Sequence, residues 1–153
     1  MPTMLFNHME LTFPKGTFTP EFRADMKRFY GDVFGWKVID FDFHGMDTIV
    51  LRPDKIQFLL LVESEQHLAS PGMDHLGLLV ESRAVVDDML EECRRFAEKD
   101  DRCEVLDFGG RDSVTPRQTT HAFYVRYLTP IYFDIQCNEF AEGREPAHHW
   151  VYQ

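Results

Sequence analysis

Two histidines occupy equivalent places in the two halves of this chain. His8 lies near the start of a strand-like apolar run, residues 4–13, and an amphipathic helical stretch follows it. His75 lies near the start of a second such run, residues 73–80, which leads into a helical stretch over 82–96. Neutral imidazole is a common ligand of divalent metal ions. One histidine at the same place in two strand–helix units indicates a metal ion held between duplicated modules.

The bulk composition limits the possible classes of protein. The chain has 153 residues, about one domain, and its 44% hydrophobic and 14% aromatic content is typical of a folded globular protein. Its net charge of −10 disfavours nucleic acid, whose phosphates would be repelled. The longest apolar run, 58–62, is too short to cross a bilayer, and no secretory signal is visible. We expect a soluble, cytoplasmic protein that binds neither nucleic acid nor membranes.

The three cysteines do not form a recognisable site. Cys93, Cys103 and Cys137 are odd in number, irregularly spaced and without a Cys-x-x-Cys pair. This pattern predicts neither a disulfide framework nor a zinc ribbon. Cys93 lies on the apolar stripe of a helix and Cys137 on a strand, so we interpret both as small buried hydrophobic residues.

The same order of elements occurs twice. Thr19-Pro20 is typical of a helix start and Gly35 of a helix end. Alternation and turn residues predict strands at 4–13, 37–43, 47–51, 55–62, 73–80, 102–108, 118–127 and 131–138, with helices at 19–35 and 82–96. These elements form two βαβββ modules, 4–62 and 73–138, joined by a linker at 63–72 and followed by a tail at 139–153. The predicted fold is α+β: a single domain over 1–153, with a cupped mixed sheet and the helices outside.

Several segments together resemble the vicinal oxygen chelate superfamily, which includes glyoxalase I, extradiol dioxygenases and bleomycin-resistance proteins. The matching segments are Phe6-Asn7-His8, the run FYGDVFGW at 29–36, DHLGL at 74–78, FYVR at 123–126 and YFDIQ at 132–136. The resemblance covers roughly residues 4–138. It implies the duplicated fold and a small-molecule substrate.

The resemblance also implies the positions of the metal ligands, on the first and last strand of each module. Carried onto this chain they are His8, Gln57, His75 and Asp134, each polar among apolar neighbours. The last strand departs from the family pattern, because the entering turn is LTPI at 128–131 and no glutamate follows. Counting from Pro130 selects Gln136, whereas counting from Tyr124 selects Asp134. We prefer Asp134, because a carboxylate neutralises a divalent ion and an amide does not.

Two histidines and a carboxylate are the ligand set of ferrous oxygenases. We therefore favour an extradiol-dioxygenase-like reaction with Fe(II), in which Tyr124 binds a catecholate oxygen and His121 is available as an acid or base. The alternatives are a glyoxalase- or epimerase-like enzyme using Zn(II), Mn(II), Ni(II) or Co(II), and a metal-free resistance protein that sequesters a flat ligand. The resemblance further implies a homodimer, with the aromatic end of the tail as part of its interface.

Overall fold

A computed structural model describes residues 6–146. Its strands are β1 (His8–Phe13), β2 (Lys37–Phe43), β3 (Met46–Arg52), β4 (Phe58–Glu63), β5 (His75–Leu79), β6 (Cys103–Leu106), β7 (Ser113–Val114), β8 (Gln118–Tyr127) and β9 (Tyr132–Phe140). Helix α1 (Pro20–Met26) continues into a π-helix (Lys27–Val33), and α2 spans Arg83–Ala97. The predicted α+β order of strand, helix and three strands is confirmed in both halves. The short β7 is an addition, and the end of the tail lies outside the described residues.

The strands form two mixed sheets with the same internal order. The first sheet has the order β1-β4-β3-β2, and the second has β5-β9-β8-β6, with β7 added beside β8. Strands β1 and β5, which carry His8 and His75, each lie at the edge of their sheet and run parallel to the last strand of their module. The first residue of each of these edge strands is the histidine, His8 or His75. The repeated order of elements predicted from the sequence is therefore also a repeat of topology.

The helices cover one face of the sheets. Thr19 and Ser82 begin α1 and α2 by accepting backbone N–H groups, as capping residues do. The π-helix brings Phe29 and Tyr30 into full burial. The Tyr30 hydroxyl donates to the Tyr127 carbonyl in the second sheet at 2.8 Å. This side chain ties the helix of the first module to the sheet of the second.

The start of β4 differs from the sequence prediction. Residues 55–57 are a turn, because the Asp54 carboxylate accepts the backbone N–H groups of Ile56 and Gln57 at 2.7 and 2.9 Å. Amide groups held by a side chain are not available to a strand ladder. The strand begins at Phe58, and Gln57 lies just before it. Within residues 6–146, no helix has both the length and the apolar character needed to cross a bilayer.

Candidate metal and substrate site

The site lies on the open face of the second sheet, the face turned away from the helices. On β8 and β9 the residues facing the helices are apolar and buried, among them Phe123, Val125 and Ile135. Alternation turns the intervening residues to the open face. The register places Tyr124 opposite Asp134, and Asp134 opposite Gly77, two residues after His75. Three of the residues predicted to act in the site therefore share one face.

His75 is oriented so that one ring nitrogen is free. Its Nδ1 lies 2.8 Å from the Met73 carbonyl, which can only accept, so Nδ1 carries the hydrogen when the ring is neutral. Nε2 then presents its lone pair to Asp134, with 3.9 Å between Nε2 and Oδ2. That distance is too long for a hydrogen bond. Two electron-donating atoms thus face each other with a gap between them.

Asp134 is buried without full compensation. Only 6% of the residue is exposed, and Oδ1 has no hydrogen-bond partner among the described residues. Burial raises the pKa of this carboxyl above its usual value, and the nearby His75 ring and Tyr124 hydroxyl offset part of that effect. Burial and the Asp134 charge in turn raise the pKa of Tyr124. A cation would satisfy the carboxylate, because a buried charge is costly unless it is paired.

These observations fit a divalent metal ion. Ligand atoms bound at about 2.0–2.2 Å from one ion lie about 3–3.5 Å apart, so His75 and Asp134 need to approach by roughly half an ångström. The Met73 carbonyl supplies the outer hydrogen bond that commonly fixes a ligating imidazole. Within residues 6–146, however, no three side chains of metal-binding type come close enough to enclose an ion. The structure brings together two of the predicted ligands.

His8, on the first sheet, also has an oxygen atom within hydrogen-bond distance of its Nδ1. Asn7 donates its amide N–H to the Ile56 carbonyl at 2.8 Å, which turns its Oδ1 towards His8 Nδ1 at 2.9 Å. Nδ1 of the neutral ring is therefore a donor, and Nε2 has no hydrogen-bond partner in the part of the chain that the structure describes. The ring stacks on Phe58, with 4.9 Å between centroids and 5° between planes. When neutral, both histidines thus carry the hydrogen on Nδ1, which leaves the Nε2 lone pair able to bind a metal ion, although His8 lies on the other sheet.

Gln57 is placed differently from the sequence prediction. Phe58 is the register partner of His8, so Gln57 falls outside the ladder and out of phase with the histidine. Its amide donates to the Phe6 carbonyl at 3.2 Å. By register, the residue of the first sheet that corresponds to Asp134 is Leu60. The structure therefore does not bring Gln57 to the side of His8.

His121 lies on the opposite face of β8 from Tyr124, as the alternation predicts. It is 5% exposed and sits between two carboxylates, with Nδ1 2.7 Å from Asp112 and Nε2 3.2 Å from Glu139. Burial lowers the pKa of His121, but these two carboxylates outweigh it and raise the pKa above its usual value. The structure does not bring His121 to the open face.

A cavity of about 330 Å³ occupies the open face. Its lining includes Phe108, Arg111, Thr120, Tyr124, Asp134 and Gln136. Tyr124 packs edge-on against His75 and Phe108, at 5.2 and 5.4 Å between centroids. Sequence analysis missed Phe108 and Arg111. The run FGGR at 108–111, in which two glycines separate an aromatic residue from a cation, could have indicated a loop with an unusual backbone conformation. Gln136, the alternative ligand position, lines the cavity beside Asp134.

Comparison with known proteins supports the fold. No protein-family model matches the chain, and no curated protein matches it in sequence. Solved structures do match. A Bacillus anthracis protein described as a glyoxalase family protein has 15% identity and a TM-score of 0.62, with 91% of this chain and 98% of that chain covered.

Two further structures have similar values. A glyoxylase/bleomycin resistance protein/dioxygenase domain from Frankia sp. EAN1pec has 17% identity and a TM-score of 0.59, with 93% of this chain and 96% of that chain covered. A fosfomycin resistance protein from Listeria monocytogenes has 14% identity and a TM-score of 0.58, with 88% and 91% covered. At these identities the likeness shows the fold alone. The solved structures confirm the predicted α+β fold, and their descriptions include both glyoxalase-type and resistance proteins.

Proposed function

We propose that this protein is a metal-dependent enzyme of the vicinal oxygen chelate type that oxidises a small catechol-type substrate, with Fe(II) as its metal. The observation that carries the proposal is the free Nε2 of His75 facing the buried, incompletely paired Asp134 carboxylate. A cation between them relieves the burial of the carboxylate and uses the lone pair of the imidazole. When bound, the metal would act as a Lewis acid for two adjacent oxygens of the substrate.

The chain's own residues supply the remaining functions of the site. Tyr124 lines the cavity beside Asp134, and its raised pKa keeps the hydroxyl protonated, so it can donate a hydrogen bond to a substrate oxygen. Phe108 and Tyr124 form an aromatic wall suited to a flat ring. The size of the cavity, about 330 Å³, fits a compound of one ring. Asp134 lines this cavity and is itself only 6% exposed.

An isomerase or lyase reaction is less well supported by the cavity. Such a reaction requires a base beside the metal, and Asp134 is the one carboxylate among the cavity-lining residues of the described chain. If Asp134 binds the metal, it is not free to take a proton from the substrate. A metal-free protein that sequesters a flat ligand remains the rival from another class. Metal content separates these readings.

The first experiment measures the metal content of protein purified without chelators or a nickel column, for wild type, His75→Ala, Asp134→Ala and Gln57→Ala. We expect a bound divalent metal in wild type and in Gln57→Ala, since the register turns Gln57 away, and its loss in the other two variants. Oxygen uptake with a panel of catechols, after anaerobic loading with Fe(II), then tests the reaction. Wild type without metal, or metal content unchanged by His75→Ala and Asp134→Ala, would overturn the proposal.

The third ligand in this proposal is His8, in a homodimer located in the cytoplasm. His8 reaches the ion either by closer approach of the two sheets or from a second copy of the chain. Co-expression of His8→Ala and Asp134→Ala chains distinguishes the two routes. Mixed dimers that recover metal binding show that the ligands come from different copies, whereas no recovery places them in one chain. A monomer in sedimentation experiments contradicts the proposed dimer.

A further inference from the structure

The loop that connects β6 to β7, residues 107–112, forms one wall of the cavity. Phe108, Gly109 and Gly110 all have positive φ angles, of 51°, 73° and 68°. That conformation is unfavourable for phenylalanine and is maintained only where the surroundings enforce it. The result is an aromatic ring packed against Tyr124 and a guanidinium, that of Arg111, at the same cavity.

The loop is fixed at both ends to the helix-facing side of the sheet. At its start, Asp107 accepts the Gly109 N–H at 2.9 Å and pairs with Arg94 of α2. At its end, Asp112 lies 2.7 Å from His121 and 3.1 Å from Arg83. Two acidic residues thus anchor the loop from behind, while the residues between them face the cavity. Such anchoring restricts the backbone that carries Arg111 before any ligand binds.

Arg111 differs from the arginines that anchor this loop. Arg83 and Arg94 are both paired with carboxylates. Arg111 forms no ion pair with a carboxylate of residues 6–146. Its Nε–H donates a hydrogen bond to the Phe108 carbonyl at 3.3 Å. The other N–H groups of its guanidinium have no partner within that part of the chain. The protein has a net charge of −10, so carboxylates that could pair with an arginine are abundant. Within the described part of the chain, Arg111 nevertheless has none beside it at the cavity.

We infer that Arg111 binds an anionic group of the substrate, so the substrate is a planar acid with adjacent oxygens at one end and a carboxylate or similar oxyanion at the other. The guanidinium provides several donors in one plane, an arrangement that matches a carboxylate. The adjacent oxygens would lie towards Asp134, which lines the same cavity. This inference deepens the proposed function and depends on it for the adjacent oxygens, but not for the anion.

The test compares the dissociation constants of 3,4-dihydroxybenzoate and catechol, which differ in one carboxylate. We expect wild type to bind the acid about 10- to 100-fold more tightly, the range given by hydrogen bonding to a charged group. Arg111→Gln should weaken binding of the acid by that factor and so abolish the preference, while Arg111→Lys retains part of it. Arg117→Gln is the matched control, because Arg117 is outside the cavity lining and forms no ion pair within residues 6–146; it should keep the full preference.

Two results would overturn the inference. One is a wild-type protein that binds acid and catechol equally, and the other is an Arg111→Gln variant that weakens both ligands by the same factor, which indicates a structural role. Benzoate and benzyl alcohol, measured by NMR titration of metal-free protein, separate this inference from the metal proposal. Preference for benzoate that requires Arg111 supports the anion site even if no metal binds. A protein that binds metal and consumes oxygen with catechol, but shows no preference for either acid, refutes the anion site alone.

Discussion

Asp134→Asn should stabilise the metal-free protein while removing its response to metal. The carboxylate is 6% exposed and Oδ1 lacks a partner among the described residues. A buried charged group left unpaired costs about 1–3 kcal/mol or more, and asparagine of the same shape carries no charge. A chain of this size gains roughly 2–4 °C in Tm per kcal/mol. We therefore expect the Tm of the metal-free variant to exceed that of wild type by about 2–12 °C at pH 7.

Metal should reverse that order. An ion present at 1,000 times its dissociation constant stabilises the folded protein by about 4.1 kcal/mol, more than the roughly 1–3 kcal/mol above, and it does so only where the ligands are intact. Wild type should then be the more stable protein under anaerobic Fe(II), while Asp134→Asn should show little change. Thermal unfolding with chelator and with Fe(II) measures both values. Asp88→Asn, at an exposed position on α2, is the control and should respond to metal as wild type does.

The pH dependence has a defined sign. The pKa of Asp134 is raised in the folded protein above its ordinary value of 3.8, with burial as the main cause. The carboxyl therefore favours folding below its unfolded pKa, and this contribution is lost as the pH rises through the folded pKa. The advantage of metal-free Asp134→Asn should be small in acid and should grow towards pH 7. A variant less stable than metal-free wild type at pH 7 would refute the account of Asp134 as a charge that awaits a cation.

Two further predictions concern the scaffold. Tyr30→Phe removes the buried hydrogen bond to the Tyr127 carbonyl and should lower the free energy of unfolding by about 1–2 kcal/mol. Urea unfolding should show this as a lower midpoint with an unchanged slope. An unchanged midpoint would contradict the prediction. The second prediction concerns His121, whose pKa is lowered by burial but raised above 6.5 overall by Asp112 and Glu139. The stabilisation that His121 provides is therefore present below pH 6.5 and is lost as the pH rises through the folded pKa. His121→Gln should flatten this decline in urea unfolding between pH 6 and 8.5, and parallel profiles would show that the pairing has no energetic effect.

The sequence predicted the topology well because the signals were local. Alternation of apolar and polar residues on β8 placed His121 and Tyr124 on opposite faces, and the structure agrees. The capping residues Thr19 and Ser82 lie where the helices begin. Periodicity reports which face of an element is buried, so the helix-facing side of each sheet could be read directly.

Three features near the site could not be predicted from periodicity, because they depend on side-chain contacts with the backbone or on unusual backbone geometry. The strand-like pattern of 55–62 included Gln57, but Asp54 takes the backbone N–H groups that would have continued β4. The π-helical end of the first helix was also not predictable, because its apolar residues fit ordinary helical spacing. The 107–112 loop was missed because its conformation depends on positive φ angles at Phe108, Gly109 and Gly110. Periodic patterns in a sequence carry no information about such angles.

The two sheets show how a duplicated scaffold can carry an unduplicated site. Both edge strands begin with a histidine whose Nδ1 is held by an oxygen, so Nε2 has no hydrogen-bond partner within residues 6–146 in either half. The register position that gives Asp134 in the second sheet gives Leu60 in the first. The first sheet therefore offers no carboxylate at that position, and a metal held as proposed above would keep room for substrate oxygens and dioxygen, as ferrous oxygenases require. The asymmetry between Asp134 and Leu60 is thus an argument for the proposed enzyme, because a closed structural metal site would need a ligand from both sheets at this position.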